Sequence, residues 1–395
     1  MKKICYILEL FISFILIGCG NQNKIEHGEL NSIIIDWDCK DLDYSNWVED
    51  SVLIVPLETT DDCLIGKISN LIYLDHKIYI ADIMSKAIYI FDEKGHLLTK
   101  LRACGAGPEE YIDITAFTIH DSHLFIYDNT KMKIFVYNEN GDFLYQKDAS
   151  KIWGMEMFCL DEDLYLFNDR SVSDMGYYSL YKLELTADGN LIEPLLPFDD
   201  PDGAGWGIDR YCCVNKNEAL LTVWPYNTIY IVKDGKASPI YEIDYRGRQL
   251  PERYINENGY TAIQTAIRDN YVTGIETLDQ TNRYLFMDCS DKDGKYIIIY
   301  DKDSGESVTT KRFYNRNLGG LGLYSLASTY MQDGYILSYC NLSTFISAKD
   351  LGCDWDEKEF ASEHVRKTFK KLQQADIEDN PVIIIQKIKE DVELF

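Results

Sequence analysis

Proline and glycine are scarce in this chain, with only nine prolines and 25 glycines among its 395 residues. This scarcity argues against a low-complexity or collagen-like protein. Basic residues are also few, since 39 Lys and Arg stand against 65 Asp and Glu and give a formal net charge of −26. A field of that sign repels phosphate backbones, so we expect no nucleic-acid partner. The abundant residues are 29 tyrosines and 16 phenylalanines, which favour β-sheet over a helical bundle.

Local catalytic motifs are also missing from the sequence. There is no Gly-x-Ser-x-Gly elbow and no His-Glu-x-x-His run, and the cysteine spacings match no zinc motif. The many carboxylates cannot be paired for acid–base chemistry without knowledge of the geometry. The sequence therefore favours a binding role and gives no direct support to an enzyme.

The N-terminus has the features of an export signal. Lys2 and Lys3 precede an apolar stretch from residue 4 to residue 17, which is too short for a convincing membrane span. Leu16-Ile17-Gly18-Cys19 resembles the lipobox of bacterial lipoproteins, in which the cysteine becomes the acylated first residue. We therefore predict a signal peptide at 1–18, a lipid-anchored tether at 19–30 and a folded region at 31–395, with a buried N-terminal helix as the alternative.

The tether predicts the location of the protein. Lipid on Cys19 makes a membrane the first expected partner. Asn21, Gln22 and Asn23 lack the acidic cluster that resembles a surface-export signal of Bacteroidota lipoproteins. We therefore expect the protein on the periplasm-facing side of the outer membrane. Most of the remaining cysteines are interpreted as small buried hydrophobic residues.

Hydrophobic residues alternate with a period of two, in short runs separated by turns. Residues 78–82, 88–92 and 97–101 form one such unit, and residues 124–128 and 134–138 begin a second. Asp82 and Asp128 are 46 residues apart, and so are Gly95 and Gly141. Equal spacing of both markers indicates a structural repeat.

Four weaker copies raise the number of repeats to six; they cover residues 164–192, 219–244, 283–312 and 331–346. Repeats of roughly 40–50 residues are typical of β-propellers. We predict an all-β fold, a six-bladed β-propeller of four-stranded antiparallel blades, with small helical insertions at 252–269 and 354–374. Residues 52–57 are predicted to share the last blade with 382–385. A seven-bladed ring or two β-domains would require another copy or a linker.

The segment from Leu101 to Tyr111 contains Gly105-Ala106-Gly107-Pro108-Glu109-Glu110-Tyr111. It resembles the signature of the six-bladed β-propeller lipoproteins of Bacteroides relatives, which have an NHL-repeat-like architecture. Asn227-Thr228-Ile229-Tyr230 and Asp379-Asn380-Pro381-Val382 also match. The sequence departs from the family at Glu109, usually glycine, and at Cys104. The resemblance implies the fold and export, and it implies no particular reaction.

Candidate ligand-binding residues combine flat rings with amide and guanidinium donors, which suit sugar faces or peptide side chains. Core or inter-blade packing is the alternative for the aromatic cluster, and a surface salt bridge is the alternative for Arg102. Near the Gly-Pro turn they are Arg102 and Tyr111, and between the third and fourth repeats they are Trp206, Arg210, Trp224, Tyr226 and Asn227.

Metal and phosphate sites have weaker support. His120 and His123 flank a tight turn and supply only two ligands. Residues 291–294 and 301–305 resemble calcium loops but lack the downstream Glu, so we interpret them as turns and keep calcium as the alternative. Strands are predicted on both sides of Gly105-Ala106-Gly107, which favours an inter-blade turn over a phosphate cradle.

Two functional hypotheses follow. The first is a tethered, non-catalytic module that binds a glycan, a peptide or a partner protein. The alternative is a metal-dependent lyase or hydrolase with its site at the central channel.

Overall fold

The computed structural model describes residues 30–189, 191–198, 209–256, 260–323, 326–350, 358–389 and 392–395. Its first three strands each join a sheet that is built mainly from later residues. They are β1 (Asn31–Ile34), β2 (Leu42–Asp43) and β3 (Val48–Pro56).

Sheets 1 to 3 are antiparallel meanders of four consecutive strands. Sheet 1 contains β4 (Ile68–Leu74), β5 (Lys77–Asp82), β6 (Ala87–Asp92) and β7 (Leu97–Leu101). Sheet 2 contains β8 (Ala116–His120), β9 (His123–Asp128), β10 (Lys133–Asn138) and β11 (Phe143–Asp148). Sheet 3 contains β12 (Glu156–Leu160), β13 (Asp163–Phe167), β14 (Tyr178–Glu184) and β15 (Ile192–Pro197).

Sheet 5 follows the same plan, sheets 4 and 7 add an N-terminal strand to consecutive ones, and sheet 6 is smaller. Sheet 4 contains β16 (Cys212–Asn215), β17 (Glu218–Thr222), β18 (Thr228–Lys233) and β19 (Lys236–Asp244), with β1 added in parallel to β19. Sheet 5 contains β20 (Thr277–Gln280), β21 (Tyr284–Asp291), β22 (Gly294–Asp301) and β23 (Ser307–Thr310). Sheet 6 contains β24 (Phe313–Asn315) and β25 (Leu321–Leu323) with β2, and sheet 7 contains β26 (Thr329–Gln332), β27 (Tyr335–Cys340) and β28 (Val382–Ile388) with β3.

The predicted all-β propeller with four-stranded antiparallel blades is confirmed, but the predicted number of six is wrong. The described part of the chain forms seven sheets. The additional one is three-stranded sheet 6, whose strands contain only two or three residues each. Strands of that length are too short to show a period-two pattern in the sequence.

The first strands of the larger sheets surround a central axis. Contacts link β8 with β12, β12 with β16, β16 with β20, β20 with β26, and β26 with β4. The ring is completed where the Asn70 side-chain amide of β4 donates a 3.0 Å hydrogen bond to the Phe117 carbonyl of β8. The N-terminal strand β3 pairs antiparallel with β28, from Pro56 opposite Val382 to Val48 opposite Ile388. The prediction that this stretch joins the last sheet is therefore confirmed.

The predicted repeat markers have equivalent structural roles. The Asp82 carboxylate accepts hydrogen bonds from the backbone N–H groups of Gly66 and Lys67, just before β4. The Asp128 carboxylate accepts one from Ile112, in the segment that leads into β8. Both aspartates are fully buried, so each fixes the segment that enters the inner strand of its own sheet. The 46 residues between them are therefore the length of one repeat, from a position in sheet 1 to the equivalent position in sheet 2.

Four α-helices lie in the described residues: α1 (Glu252–Asn256), α2 (Tyr260–Arg268), α3 (Leu342–Asp350) and α4 (Glu363–Leu372). The helical insertion predicted at 252–269 is confirmed, and α4 confirms the helix of the second insertion. Residues 354–357 of that insertion are outside the described residues. The strand predicted up to residue 346 is wrong beyond Cys340, because Leu342 and Phe345 are spaced for one face of a helix and are buried. No helix in these ranges is long and apolar enough to cross a membrane.

Candidate functional site

A cavity of about 580 Å³ lies at the centre of the ring of inner strands. Its wall is formed by strands β4, β8, β12, β16, β20 and β26 with the turns at their ends, and sheet 6 contributes no lining residue. Apolar residues such as Phe117, Met157 and Met331 alternate there with polar ones. The ionisable residues on the wall are Asp75, His120, Asp121, Glu156, Asp209, Arg210, Asp279 and Asp333, together with three cysteines and Tyr330.

Carboxylate side chains of one inner strand accept hydrogen bonds from unpaired backbone N–H groups of the next inner strand. The Glu156 carboxylate of β12 accepts hydrogen bonds from the backbone N–H groups of Tyr211 (2.7 Å) and Cys212 (2.9 Å). The Asp279 carboxylate of β20 accepts one from the Met331 N–H at 2.7 Å. An unpaired strand edge would otherwise leave buried N–H groups without acceptors. These contacts hold the wall of the cavity in one arrangement.

The same device closes the ring between the last sheet and the first. The Gln332 side-chain oxygen of β26 accepts a hydrogen bond from the Tyr73 N–H of β4 at 3.0 Å. Between sheets 4 and 5 the main chain also forms a link, because the N–H of Asp209 donates to the Glu276 carbonyl at 3.0 Å. Hydrogen bonds thus join most neighbouring inner strands around the cavity, and β8 and β12 are linked by packing contacts.

Arg210 is the best-connected side chain of the cavity. Its Nη1 lies 2.9 Å from Asp279 Oδ2, and its Nη2 donates to the carbonyls of Leu326 (2.8 Å) and Thr329 (2.7 Å). The guanidinium carbon is 4.1 Å from the centroid of the Tyr330 ring. The side chains of Arg210 and Asp279 are only 12% and 3% exposed. Arg210 therefore ties sheet 4 to sheets 5 and 7 through a buried ion pair.

Burial raises the pKa of two carboxyl groups on the wall, Glu156 and Asp279. Loss of solvation raises the pKa of Glu156 to about 7, against the lowering effect of the Tyr211 and Cys212 N–H groups. Loss of solvation likewise raises the pKa of Asp279 to about 6, although the charge of Arg210 opposes the shift. Glu156 consequently changes its charge near neutral pH.

We expect the substitution Glu156→Gln to reduce the pH dependence of stability. The folded-state pKa of Glu156 is about 7, above its ordinary value of 4.5, so its protonated form stabilises the fold below pH 4.5 and this contribution is lost as the pH rises through 7. Glutamine does not titrate, and its single carbonyl oxygen leaves one of the two N–H groups unpaired, at a cost of about 1–3 kcal/mol.

Urea unfolding at pH 5 and pH 8 measures this effect. The stability difference between the wild type and Glu156→Gln should be larger at pH 5 than at pH 8. The exposed Glu162 supplies the control, because Glu162→Gln should leave the pH profile unchanged. Parallel profiles for the wild type and Glu156→Gln would contradict the assignment.

The two residues predicted near the Gly-Pro turn lie away from the cavity. The exposed Arg102 donates from Nε to the Ser85 carbonyl at 3.0 Å. Tyr111 is fully buried, packs edge-on against Tyr137 and donates from its hydroxyl to the Lys86 carbonyl at 2.9 Å. In this structure Tyr111 is part of the core between sheets 1 and 2.

The Gly-Pro turn connects sheets 1 and 2 and supplies its own hydrogen-bond partners. The Gly107 N–H donates to the Glu110 carboxylate at 2.7 Å, and a Cβ on Gly105 would lie 2.1 Å from that carboxylate. Lys131 donates to the Gly107 carbonyl at 2.8 Å. Since Glu110 fills the space inside the loop, the geometry agrees with an inter-blade turn and leaves no cradle for phosphate.

The candidates between the third and fourth repeats are only partly brought together. Trp224 is buried and donates from Nε1 to the Thr273 carbonyl at 2.6 Å. Tyr226 is 39% exposed, and its hydroxyl accepts a 2.8 Å hydrogen bond from Arg170. The Asn227 carbonyl accepts a bond from the Ile243 N–H at 2.9 Å. Trp206 lies outside the described residues. Arg210 is the one described member of the predicted set that lines the cavity.

The comparisons with known proteins agree with this architecture. The sequence profile of the domain of unknown function DUF4934 matches residues 32–387, nearly the whole chain. The chain belongs to the DUF4934 family. No curated protein matches it.

Two solved structures resemble this DUF4934 protein. A protein of Bacteroides fragilis NCTC 9343, inferred to be exported, is 18% identical with a TM-score of 0.71, and the match covers 91% of this chain and all of the other. A DUF4221 family member from Bacteroides vulgatus is 12% identical with a TM-score of 0.49, over 87% of this chain and 97% of the other. At these identities the first likeness shows a common fold.

The possible metal ligands of the DUF4934 chain have other partners. His120 and His123 face each other across β8 and β9, and His123 Nδ1 lies 2.7 Å from the Asp121 carbonyl oxygen. In the two calcium-like turns, Asp291 pairs with Arg248 and Asp301 with Arg283. Within the described ranges, no three His, Cys, Asp or Glu side chains are grouped to hold a metal ion.

The cysteines in the described part of the DUF4934 chain are unpaired thiols. Four of the eight, Cys63, Cys212, Cys213 and Cys289, are buried as predicted, whereas Cys39 and Cys104 are exposed, so the interpretation as small buried hydrophobic residues holds for half of them. Burial raises the pKa of Cys159 to about 12, so this thiol on the cavity wall stays protonated.

Proposed function

We propose that this DUF4934 protein is a lipid-anchored, non-catalytic binding module whose central cavity receives part of a glycan, peptide or partner protein. The observation that carries the proposal is the cavity itself. Its volume of about 580 Å³ lies within the range of small-molecule sites, which are usually preformed. Hydrogen bonds between neighbouring inner strands hold its wall in place, so a ligand would not have to order it.

The use of the wall residues supports binding over catalysis. Glu156 and Asp279, the two wall carboxylates that are not exposed, accept hydrogen bonds from the main chain of neighbouring strands. Arg210 has its acceptors in Asp279 and two carbonyls. A general acid, base or nucleophile must instead reach a substrate atom. The hydrogen bonds of these three side chains go to neighbouring strands, so their role is to stabilise the cavity wall.

The location is proposed from the N-terminal sequence. Cys19 in its lipobox-like setting would carry the lipid, residues 20–30 would form the tether, and the chain would face the periplasm from the outer membrane. The inferred export of the structurally similar Bacteroides fragilis protein supports passage out of the cytoplasm. Mass spectrometry of the mature protein tests this idea, since the first residue should be a lipid-modified Cys19. An unmodified N-terminus before residue 19 would refute it.

Binding can be tested with a variant that fills the cavity. Ser69 is exposed and lines the cavity, so Ser69→Trp should add a large side chain at the cavity wall without disturbing a core. We expect this variant to bind any ligand found on glycan and peptide arrays at least about tenfold more weakly, because the larger side chain competes for the same volume. Affinity is measured by calorimetry with the purified protein.

The control for this test is Ser51→Trp. Ser51 is exposed on β3, away from the cavity, so this variant should bind like the wild type. Equal affinity of Ser69→Trp and the wild type would place the ligand elsewhere and contradict the proposal. Chemical conversion of the bound ligand would support the alternative hydrolase or lyase.

A further inference from the structure

Two side-chain donors of the cavity wall have no acceptor in the described part of the chain. Tyr330 and Gln332 line the cavity and lie two residues apart on β26, so their side chains leave the strand on the same side. The Gln332 side-chain oxygen accepts the Tyr73 N–H at 3.0 Å, but its amide nitrogen has no partner there. The Tyr330 hydroxyl is also unpaired, although the centroid of its ring lies 4.1 Å from the Arg210 guanidinium carbon.

The Tyr330 hydroxyl keeps its proton at neutral pH. Loss of solvation raises the pKa of Tyr330 to about 12, although the charge of Arg210 opposes the shift. The hydroxyl therefore remains able to donate one hydrogen bond and to accept others.

Unpaired acceptors lie beside these two donors. Asp333 directly follows Gln332 on the turn after β26, and Asp75 lies on the corresponding turn after β4. Both aspartates line the cavity, and neither carboxylate forms a hydrogen bond or an ion pair within the ranges that the structure describes. The bond from Tyr73 to Gln332 joins the two strands. Donors and acceptors thus share one part of the wall, the polar sector, which consists of Asp75, Tyr330, Gln332 and Asp333.

The backbone of the inner strands offers less to a ligand than the polar sector does. Four N–H groups at the edges of these strands already donate to side chains of a neighbouring strand; they belong to Tyr73, Tyr211, Cys212 and Met331. A peptide that adds to a sheet edge as an extra strand needs such main-chain groups to be free. Recognition in the cavity therefore depends on side-chain groups, which disfavours an extended peptide.

A fully charged ligand group matches the polar sector poorly. A carboxylate or a phosphate would be repelled by Asp75 and Asp333. An ammonium has three donors and no acceptor, so it would leave the Tyr330 hydroxyl and the Gln332 amide without partners. A sugar hydroxyl donates one hydrogen bond and accepts others, so two neighbouring hydroxyls satisfy a carboxylate and an amide together.

We infer that the polar sector binds an uncharged sugar through its hydroxyl groups. This inference rests on the proposed binding function and specifies its ligand class. One hydroxyl donates to Asp75 or Asp333, and a second accepts from the Gln332 amide or the Tyr330 hydroxyl. Hydrogen bonds linked in this way polarise and strengthen one another in a site of low dielectric constant.

Calorimetry with matched probes tests the ligand class. The neutral probes are trimers of glucose, mannose, galactose and xylose, and the charged ones are trimers of glucosamine and of galacturonic acid. A tri-alanine peptide with blocked ends represents peptides. At least one neutral trimer should bind about tenfold or more tightly than both charged trimers and the peptide. Its affinity should change less than about twofold between about 0.05 M and 0.5 M salt, because salt screens charged groups and this ligand has none.

Two conservative variants test the donors of the polar sector. Tyr330→Phe removes one hydroxyl and keeps the ring beside Arg210. Since that hydroxyl has no partner in the described protein, the midpoint of urea unfolding should not change, whereas the neutral trimer should bind about fivefold more weakly. Gln332→Glu keeps an oxygen for the Tyr73 N–H and replaces the amide donor with an acceptor, so it should weaken binding about tenfold or more.

Tyr314 provides a matched control for Tyr330. Its ring centroid also lies 4.1 Å from a guanidinium carbon, that of Arg312, but it belongs to β24 of sheet 6 and does not line the cavity. Tyr314→Phe should therefore bind the neutral trimer like the wild type.

The outcomes separate this inference from the function on which it rests. Full affinity of Tyr330→Phe for the neutral trimer would overturn the inference, and this variant decides the question alone if Gln332→Glu does not fold. If a charged trimer or the peptide binds most tightly and its binding is lost in Ser69→Trp, the cavity remains a binding site and the sugar inference is wrong. If no ligand responds to Ser69→Trp, both are wrong.

Discussion

Replacement of Asp279 with alanine should lower the free energy of unfolding by about 3–5 kcal/mol, the usual effect of removing one partner from a buried ion pair. Arg210 would keep its charge in a site where its side chain is only 12% exposed. The Met331 N–H would lose its acceptor at the same time. Urea unfolding followed by tryptophan fluorescence measures the loss.

Two further variants show whether the buried charge is the cause. Combining Asp279→Leu with Arg210→Met removes both partners, so much of the lost stability should return. Asp38 pairs with Lys40 at 3.5 Å on the surface, where the two side chains are 73% and 77% exposed. Asp38→Ala should therefore change stability by no more than about 0.5 kcal/mol. A loss below about 1 kcal/mol in Asp279→Ala would show that Arg210 is solvated after all.

The second large effect is expected for Gly95→Ala, at about 2–5 kcal/mol of unfolding free energy. Gly95 has φ of +84°, and a Cβ there would lie 2.1 Å from the Pro56 carbonyl oxygen. The left-handed conformation costs an alanine about 1–2 kcal/mol, and displacement of packed backbone adds about 1–3 kcal/mol. Pro56 belongs to β3, so the clash falls where the N-terminal strand meets sheet 1.

Gly141 provides a matched control for this prediction. It occupies the same repeat position with φ of +87°, but its nearest neighbour would be Leu101 Cδ1 at 3.8 Å. Gly141→Ala should therefore show the conformational cost alone, about 1–2 kcal/mol. Thermal unfolding of both variants under identical conditions gives the difference. Equal losses would mean that the backbone near Pro56 relaxes freely.

The repeat was visible in the sequence because its markers act within one sheet. Asp82 and Gly66 are 16 residues apart, and the turn glycines follow at a fixed distance. Strand periodicity and turn residues encode such local geometry directly. Sheet 6 could not be foreseen, because it joins Leu42 to Phe313 through strands too short for a pattern.

The cavity was less predictable than the fold. Arg210 was identified by its residue type, whereas its partner Asp279 is 69 residues away. Glu156 and Tyr211 are 55 residues apart, and no local rule connects them. One signal was present: polar residues such as Asn70, Glu156 and Gln332 recur within the short inner strands. Knowledge of which strands are innermost was needed to interpret it.

Strand β1 determines how this molecule would respond to mechanical force. It runs parallel to β19 from Asn31 opposite Tyr241 to Ile34 opposite Asp244, and Ile33 and Ile35 are fully buried. Tension on the chain ahead of Asn31, directed along the strand, would load all these hydrogen bonds together in shear and would not peel them apart one by one. With the lipid anchor proposed above, the parallel pairing of β1 with β19 would therefore resist a pull on the N-terminal segment before the rest of the fold is disturbed.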